Sequence, residues 1–488
     1  MDDLANQDGT AVADDADNLP GTWCWTKIGA IAELRGEKVD PGSDPDLRFV
    51  GMDDIEPNGL HATQSRPFGL MQSSANRFRP GDVLYGRLRP YLNKTALAAE
   101  HGACSGELLP IVPSVGVEPR FLQYFLHSRR FVNNAMSAVT GDRPRIDFAR
   151  IGQFDFPLAP SNEQRRIVAR IDELFAEIAA GEAALADARK GLETFRRALL
   201  KTAVTGELTK DWRESNPVSV SGHDLLQSIE NPSSRKPRAS LAPSVMPGTW
   251  AWTSLDQVAS SVRNGTSAAP RASANENEIL RISAVRPLYI DESQVRFLTS
   301  DQASDARDAT VEAGDLLFTR YNGSADLVGV GALYQGKKRF YPDKVIRVRL
   351  HEAIAAISRF IEMSVNTAAG RKHIAANIKT TAGQQGISGA SLRATPLPIP
   401  PPAEAAEIIR RVSDALSAAD DTLASLDAEA ADAARLKQAI LKAAFEGRLM
   451  PQDPSDEPAN ALLARIAAER PTQPVKRGRG IRSAGKTA

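Results

Sequence analysis

The chain has 488 residues, 42% hydrophobic and 25% charged, the composition of a globular protein too long for one core, so two to four domains are expected. Lysine plus arginine and aspartate plus glutamate both number 60, so net charge argues nothing for nucleic-acid binding and any such surface must be local. No apolar run reaches the roughly 18 residues of a membrane helix, and Cys24 and Cys104 alone cannot form a disulfide framework or a four-ligand zinc site; a cytoplasmic location is expected.

Residues 1–18 are acidic, carry no base and read as a disordered tail. The sequence then repeats itself. Leu19-Pro-Gly-Thr-Trp-Cys-Trp-Thr26 returns as Met246-Pro-Gly-Thr-Trp-Ala-Trp-Thr253, and Gly81-Asp-Val-Leu-Tyr85 returns as Gly314-Asp-Leu-Leu-Phe318. Glu163 and Glu404 each follow a proline-rich stop, and each precedes a glycine, Gly206 or Gly447, by 43 positions. The first part of each copy varies in length while the last keeps its length to the residue, as a spacing helix would.

Residues 19–160 and 246–400 mix short strand-like runs with turns and one or two late helices, giving the strand-rich α+β class. After the first Gly-Asp turn come Arg87, Arg89, Tyr91, Asn93 and Lys94, with a second basic loop holding Arg143 and Arg145. After the second turn come Arg320, Tyr321, Asn322 and Ser324, and Lys379, Gln384 and Gln385 stand where the first copy has its basic loop. Arginine forks and carboxamides read base edges, and lysine serves phosphates. These are the candidate DNA-binding residues; ordinary surface salt bridges are the competing reading.

Residues 161–208 and 401–449 read as spacer helices separated by a linker, 209–245. Alternating steps of four and three from Ile167 give Ile171, Leu174, Ile178, Gly181, Leu185, Ala188, Leu192, Phe195 and Leu199. In the second helix they give Ile408, Val412, Ala415, Ala419, Thr422, Leu426, Glu429, Ala433, Leu436 and Ile440, with Glu429 as a break. Two equal heptad helices in one chain suit pairing with each other, and the linker permits an antiparallel arrangement. Residues 450–488 read as a C-terminal helix and a basic tail. That tail contains Gly480-Ile-Arg-Ser-Ala-Gly-Lys-Thr487, a phosphate-loop match without the flanking strand and helix such a loop needs. No nucleophile elbow, zinc motif or methyltransferase tetrapeptide is present, so the chain reads as non-catalytic, with no cofactor or metal of its own.

The Pro-Gly-Thr-Trp-x-Trp openings, the two Gly-Asp segments, Phe156-Pro-Leu-Ala-Pro-Ser-Asn-Glu163 with Gln164, the endings through Trp212 and Leu449, and Pro451-Gln-Asp-Pro-Ser-Asp-Glu-Pro458 together resemble the specificity subunits of type I restriction-modification enzymes, across residues 19–470. Ala405 departs from the family pattern where the first copy has Gln164. The resemblance implies two target recognition domains, each reading half of an asymmetric bipartite DNA site, joined by two long helices pairing as an antiparallel coiled coil. It implies docking of two methyltransferase subunits and two motor-nuclease subunits, which would hold S-adenosylmethionine, ATP and Mg. A coiled-coil scaffold with two protein-interaction modules and no DNA binding is the alternative.

Overall fold

The structure is a computed structural model and describes residues 19–229, 246–272, 277–381 and 384–469. The acidic tail, most of the second half of the linker and the terminal phosphate-loop match lie outside the described residues. The chain divides into two compact units, residues 1–185 with 428–488, and residues 186–427. Both long helices cross that division, so each unit contains a piece of both.

In the first unit, Cys24–Lys27 pairs with Asp155–Leu158 at the base. Four strands follow in the order Ala32–Leu34, Leu108–Pro113, Val83–Gly86, Thr95–Leu97, antiparallel throughout. A five-stranded sheet stands beside them: Lys38–Val39, Ala75–Phe78, Gly102–Cys104, Arg48–Val50, Arg66–Pro67. The helices Pro119–His127 and Arg129–Ser137 bury Phe121, Phe125 and Phe131 against Tyr85 and Phe156. The second unit repeats the base pair, Ala251–Ser254 with Pro396–Ile399, and the four-stranded order: Ala259–Asn264, Val345–Leu350, Leu316–Thr319, Gly331–Leu333. Its accessory sheets differ, in keeping with the unequal lengths of the two copies.

The long helices run Ser161–Thr205 and Pro402–Phe445. Their shielded positions do not follow the heptads throughout. From Ile167 the row goes to Ile171, Leu174 and Ile178, then to Glu182, Leu185, Arg189, Leu192, Arg196, Leu199 and Ala203. Two successive steps of four make an eleven-residue stretch, about 3.67 residues per turn, which locally unwinds a left-handed coil. Every position recurs 241 residues later: Ile408, Val412, Ala415, Ala419, Leu423, Leu426, Ala430, Ala433, Lys437, Ile440 and Ala444.

The phase shift moves Gly181, Ala188, Phe195, Thr422, Glu429 and Leu436 outward, correcting their assignment to the seam. Leu436 is 51% exposed, and Lys437 takes the inward place with its ammonium 2.8 Å from Glu182. Glu429 is therefore no break, because Ala430 holds the position. In the second unit Arg189 pairs with Asp427 and Arg196 with Asp420. Seven residues forward on one helix match seven back on the other, so the helices are antiparallel. At its middle the shielded row therefore mixes Glu182, Arg189, Arg196 and Lys437 with leucines and small alanines.

Each helix ends on a glycine with left-handed backbone, Gly206 at φ 81° and Gly447 at φ 69°. Each glycine also lies against the proline of a Pro-Gly-Thr-Trp opening: an added Cβ would sit 2.6 Å from Pro247 Cγ or 2.3 Å from Pro20 Cγ. The openings and endings of the repeat are thus partners across copies. The first opening meets the end of the second helix, and the second opening meets the end of the first.

Two buried carboxylates join these pieces to the helix starts. Glu404 accepts hydrogen bonds from Trp250 Nε1 (2.8 Å), Thr209 Oγ1 (2.7 Å) and Arg213. Glu163 accepts one from Gln452 Nε2 at 2.7 Å, and burial holds its carboxyl above the usual range. Gln164 is fully buried, bonded to the Ala159 carbonyl and the Glu118 amide; Ala405 fills the matching site without those bonds. Residues 209–229, expected as linker, carry the short helices Lys210–Ser215 and Gly222–Gln227, with Leu225 and Ile229 in the core of the second unit. The helix Ala459–Glu469 puts Leu462 and Ile466 into the core of the first.

Candidate nucleic-acid interface

The Gly-Asp turn is built identically in both units. Gly81 and Gly314 have φ of 88° and 95°, and the amides of Arg79 and Glu312 donate to the buried carboxylates of Asp82 and Asp315. Each carboxylate is also gripped by an arginine fork: Arg35 Nε and Nη2 at 2.6 and 2.7 Å, Arg349 Nε and Nη2 at 2.7 and 2.8 Å. Arg35 follows the strand Ala32–Leu34, whereas Arg349 lies within Val345–Leu350, so the same clamp is reached by two routes. Sequence reading missed both clamps because an isolated arginine 34 or 47 residues away carries no local pattern.

The strand that follows the turn delivers the candidate side chains. In the first unit Arg87 N donates to Glu107 O, Ile146 N to Arg87 O, and Arg89 N to Pro144 O. These bonds lay 87–89 alongside 144–146 and bring the two basic loops together. In the second unit Arg320 N donates to Lys344 O and Ile387 N to Arg320 O, the same pattern. Tyr321–Asn322 pairs with Gln384–Gly386, which pairs with Lys379–Thr381. All four segments singled out from the sequence therefore meet in pairs at equivalent places.

The individual side chains divide into free and engaged groups. Arg87, Arg89, Arg143 and Lys379 make no side-chain hydrogen bond or ion pair among the described residues. Tyr91 is 49% exposed on the one-turn helix Pro90–Leu92, which is flanked by left-handed Arg89 and Asn93. Arg320 lies over the Tyr321 ring at 4.8 Å and reaches the Asp343 carbonyl. Asn322 Oδ1 accepts from the Ser324 amide, closing a small turn, and Gln384 is exposed beside half-buried Gln385. Arg145 is held by both oxygens of Glu107.

Asn93 and Lys94, expected as contacts, are turned inward instead. Asn93 Nδ2 donates to the His127 carbonyl at 3.0 Å, and Lys94 Nζ to the Met52 carbonyl at 2.9 Å. At 5% and 8% exposure they hold the loop and present nothing outward. A polar side chain in a basic loop gave no sign of this, because Asn93 folds back through its left-handed backbone.

His127 is itself buried, and burial together with the Lys437 charge pushes its pKa down to about 4. The unfolded chain would bind a proton near pH 6.5 that the folded chain refuses, so stability falls as pH drops through that window. Unfolding free energy is expected to fall by about 2 kcal/mol between pH 7 and pH 5 from this group. Urea titrations of wild type and His127→Gln at the two pH values check it; an equal pH dependence in both would refute the assignment.

Among the described residues no group of His, Cys, Asp and Glu is placed to hold a metal ion, and no helix is long and apolar enough to cross a membrane. Two recognition-type α+β units, each with a cationic edge at the same place, and two paired helices define the class of a two-headed binding protein. The specificity subunit of the type I restriction enzyme EcoKI from Escherichia coli K12 is 32% identical over 364 residues, covering 72% of this chain and 71% of that one. The StySPI specificity subunit of Salmonella potsdam is 28% identical over 382 residues, covering 76% and 75%. A chain solved in work on complex assembly and conformational transition of the type I R-M system shares the fold, with a TM-score of 0.63, 19% identity and coverage of 88% and 99%. No family model matches the chain. The protein belongs to the specificity subunits of type I restriction enzymes, the non-catalytic, DNA-recognition part of those complexes.

Proposed function

We propose that each unit reads one half of an asymmetric bipartite DNA site, the first through Arg87, Arg89 and Tyr91 with Arg143 on the phosphates, the second through Arg320, Tyr321, Asn322 and Gln384 with Lys379 on the phosphates. The observation that carries this is the pairing of two cationic segments at the same edge in both units, where the side chains of Arg87, Arg89, Arg143 and Lys379 make no hydrogen bond or ion pair among the described residues. Unpaired guanidinium groups on a strained loop, in a chain otherwise rich in ion pairs, suit an anionic ligand. The two surfaces differ in sequence, so the half-sites differ.

The paired helices set the unread gap and dock two methyltransferase subunits. Phe195, 45% exposed, and Leu436, 51% exposed, occupy positions 241 residues apart on the outward faces of the two helices. Matched apolar anchors, one in each unit, suit two copies of one partner. S-adenosylmethionine chemistry belongs to that partner, and ATP-driven cleavage with Mg to motor-nuclease subunits.

The test is selection of a random duplex library by the chain complexed with its methyltransferase. One bipartite sequence should be enriched. Arg87→Ala with Arg89→Ala should blur one half-site alone, costing about 1–3 kcal/mol of base discrimination per bidentate contact. Arg143→Ala or Lys379→Ala should instead weaken all sequences and flatten the salt dependence by about one unit. Enrichment of no bipartite sequence would leave the scaffold reading in its place.

A further inference from the structure

Four residues other than glycine have left-handed backbone among the described residues: Asn58 at φ 58°, Arg89 at 52°, Asn93 at 49° and Leu288 at 62°. A Cβ makes that conformation costly, and such strain gathers at functional sites. Arg89 and Asn93 bound the reading loop of the first unit. The other two occupy one equivalent feature in the two units, a short hairpin with proline followed by the strained residue, Pro57-Asn58 and Pro287-Leu288.

In the first unit Ile55 bridges Ala62, and the tip is tied to the reading loop: Asn58 N donates to Leu92 O at 2.9 Å, and Thr95 N to Gly59 O at 3.1 Å. In the second, Val285–Arg286 pairs with Tyr289–Ile290, and Leu288 N donates to Gly331 O at 3.2 Å. Gly331 is the strand partner of Phe318, two residues before Arg320. The first tip therefore borders the loop that carries Arg89 and Tyr91, and the second borders the strand that leads into Arg320 and Tyr321.

What they display there is suited to nucleic acid. Tyr289 is 60% exposed, a large aromatic left in water. Arg286 is exposed and its side chain makes no hydrogen bond or ion pair among the described residues; the Asp291 carboxyl nearby is held below its usual range by hydrogen bonds from Ser293, with the Arg286 charge adding to them. Leu288 packs partly against the main core of its unit, which anchors the turn between the two. The first tip is built differently: Glu56 stands at the place of Arg286 and Gly59 at that of Tyr289, and the exposed side chains there that suit base edges are Asn58 and His61.

We infer that these hairpin tips are a second contact element of the DNA-reading surface: Asn58 and His61 for the first unit, Arg286 and Tyr289 for the second. The inference rests on the reading that the units bind DNA. The strained turn fixes the angle of the tip, the fork of Arg286 reaches a guanine edge or a phosphate, and Tyr289 packs on the sugar or base beside it.

The experiment uses the full chain with its methyltransferase partner, the random duplex library, and the doubles Arg286→Ala with Tyr289→Ala and Asn58→Ala with His61→Ala. Each double is expected to lower affinity for the selected site about tenfold and to relax positions in one half-site, the two doubles affecting opposite halves. Arg286→Lys keeps the charge and loses the fork; it should retain the salt dependence while relaxing base preference. The substituted side chains are exposed, so unchanged melting temperatures are expected; a double with a lowered one is replaced by Arg286→Lys or His61→Gln. If the unaltered complex enriches a bipartite sequence and the folded variants keep both sequence and affinity within about twofold, the hairpin is no contact element and the DNA-reading assignment stands. If the unaltered complex enriches nothing, both fall.

Discussion

Glu404→Ala should lower the melting temperature of the second unit by on the order of 10 °C. The carboxylate is completely buried and serves three donors from three places: Trp250 in the Pro-Gly-Thr-Trp opening, Thr209 just after the first helix, and Arg213 beyond it. Removing it leaves a largely buried guanidinium and an indole N–H without acceptors, a loss of about 3–5 kcal/mol. In a unit of this size each kcal/mol is worth about 2–4 °C. Glu404→Gln should be nearly as harmful, because the amide cannot neutralise Arg213. Glu163→Gln should cost far less, since its bonded partner is the neutral Gln452 and burial already disfavours its charge. Calorimetry of the three variants decides it; equal losses for the two glutamines would mean that charge plays no part in the junction.

The second large effect concerns spacing. Inserting seven residues into each long helix, at 186 and at 428, keeps the inward phase on both sides and adds about 10 Å at 1.5 Å per residue. The selected DNA site should then have an unread gap longer by about three base pairs, with both half-sites unchanged, since base pairs rise about 3.4 Å. Inserting into one helix alone should do worse, because it breaks the match of Glu182 with Lys437 or of Arg189 with Asp427. Library selection reads the gap directly, and an unchanged gap would show that the helices do not set it.

The duplication, the α+β class and the two long helices were legible from residue patterns alone. The Gly-Asp turn, a fixed backbone need, was visible as a motif. The seam was legible in full as far as Ile178 and Ala419 and beyond them at every second position, Leu185, Leu192, Leu199, Leu426, Ala433 and Ile440. Beyond that point the inward row includes Glu182, Arg189, Arg196 and Lys437, residue types that heptad reading assigns to water. Phe195 and Leu436 look like core and face outward. Hydrophobic type reports burial poorly where long charged stems do the covering. The reading surface was legible as composition and not as geometry: nothing local tells that Asn93 is bonded into the fold while Arg89, four residues earlier, has no side-chain partner among the described residues.

The interleaving of helix ends and openings has a consequence for synthesis. The first unit contains residues 428–469, whose side chains, among them Ile440, Phe445 and Leu462, complete the core begun by Trp23, Phe121 and Ile171. As the chain leaves the ribosome, that core must wait for the 242 residues from 186 to 427, roughly 10–50 s at 5–20 residues per second. The second unit draws only on that middle stretch and can close first. The half that is made first is therefore finished last, and in the interval its apolar face is open to chaperones, proteases or another unfinished chain.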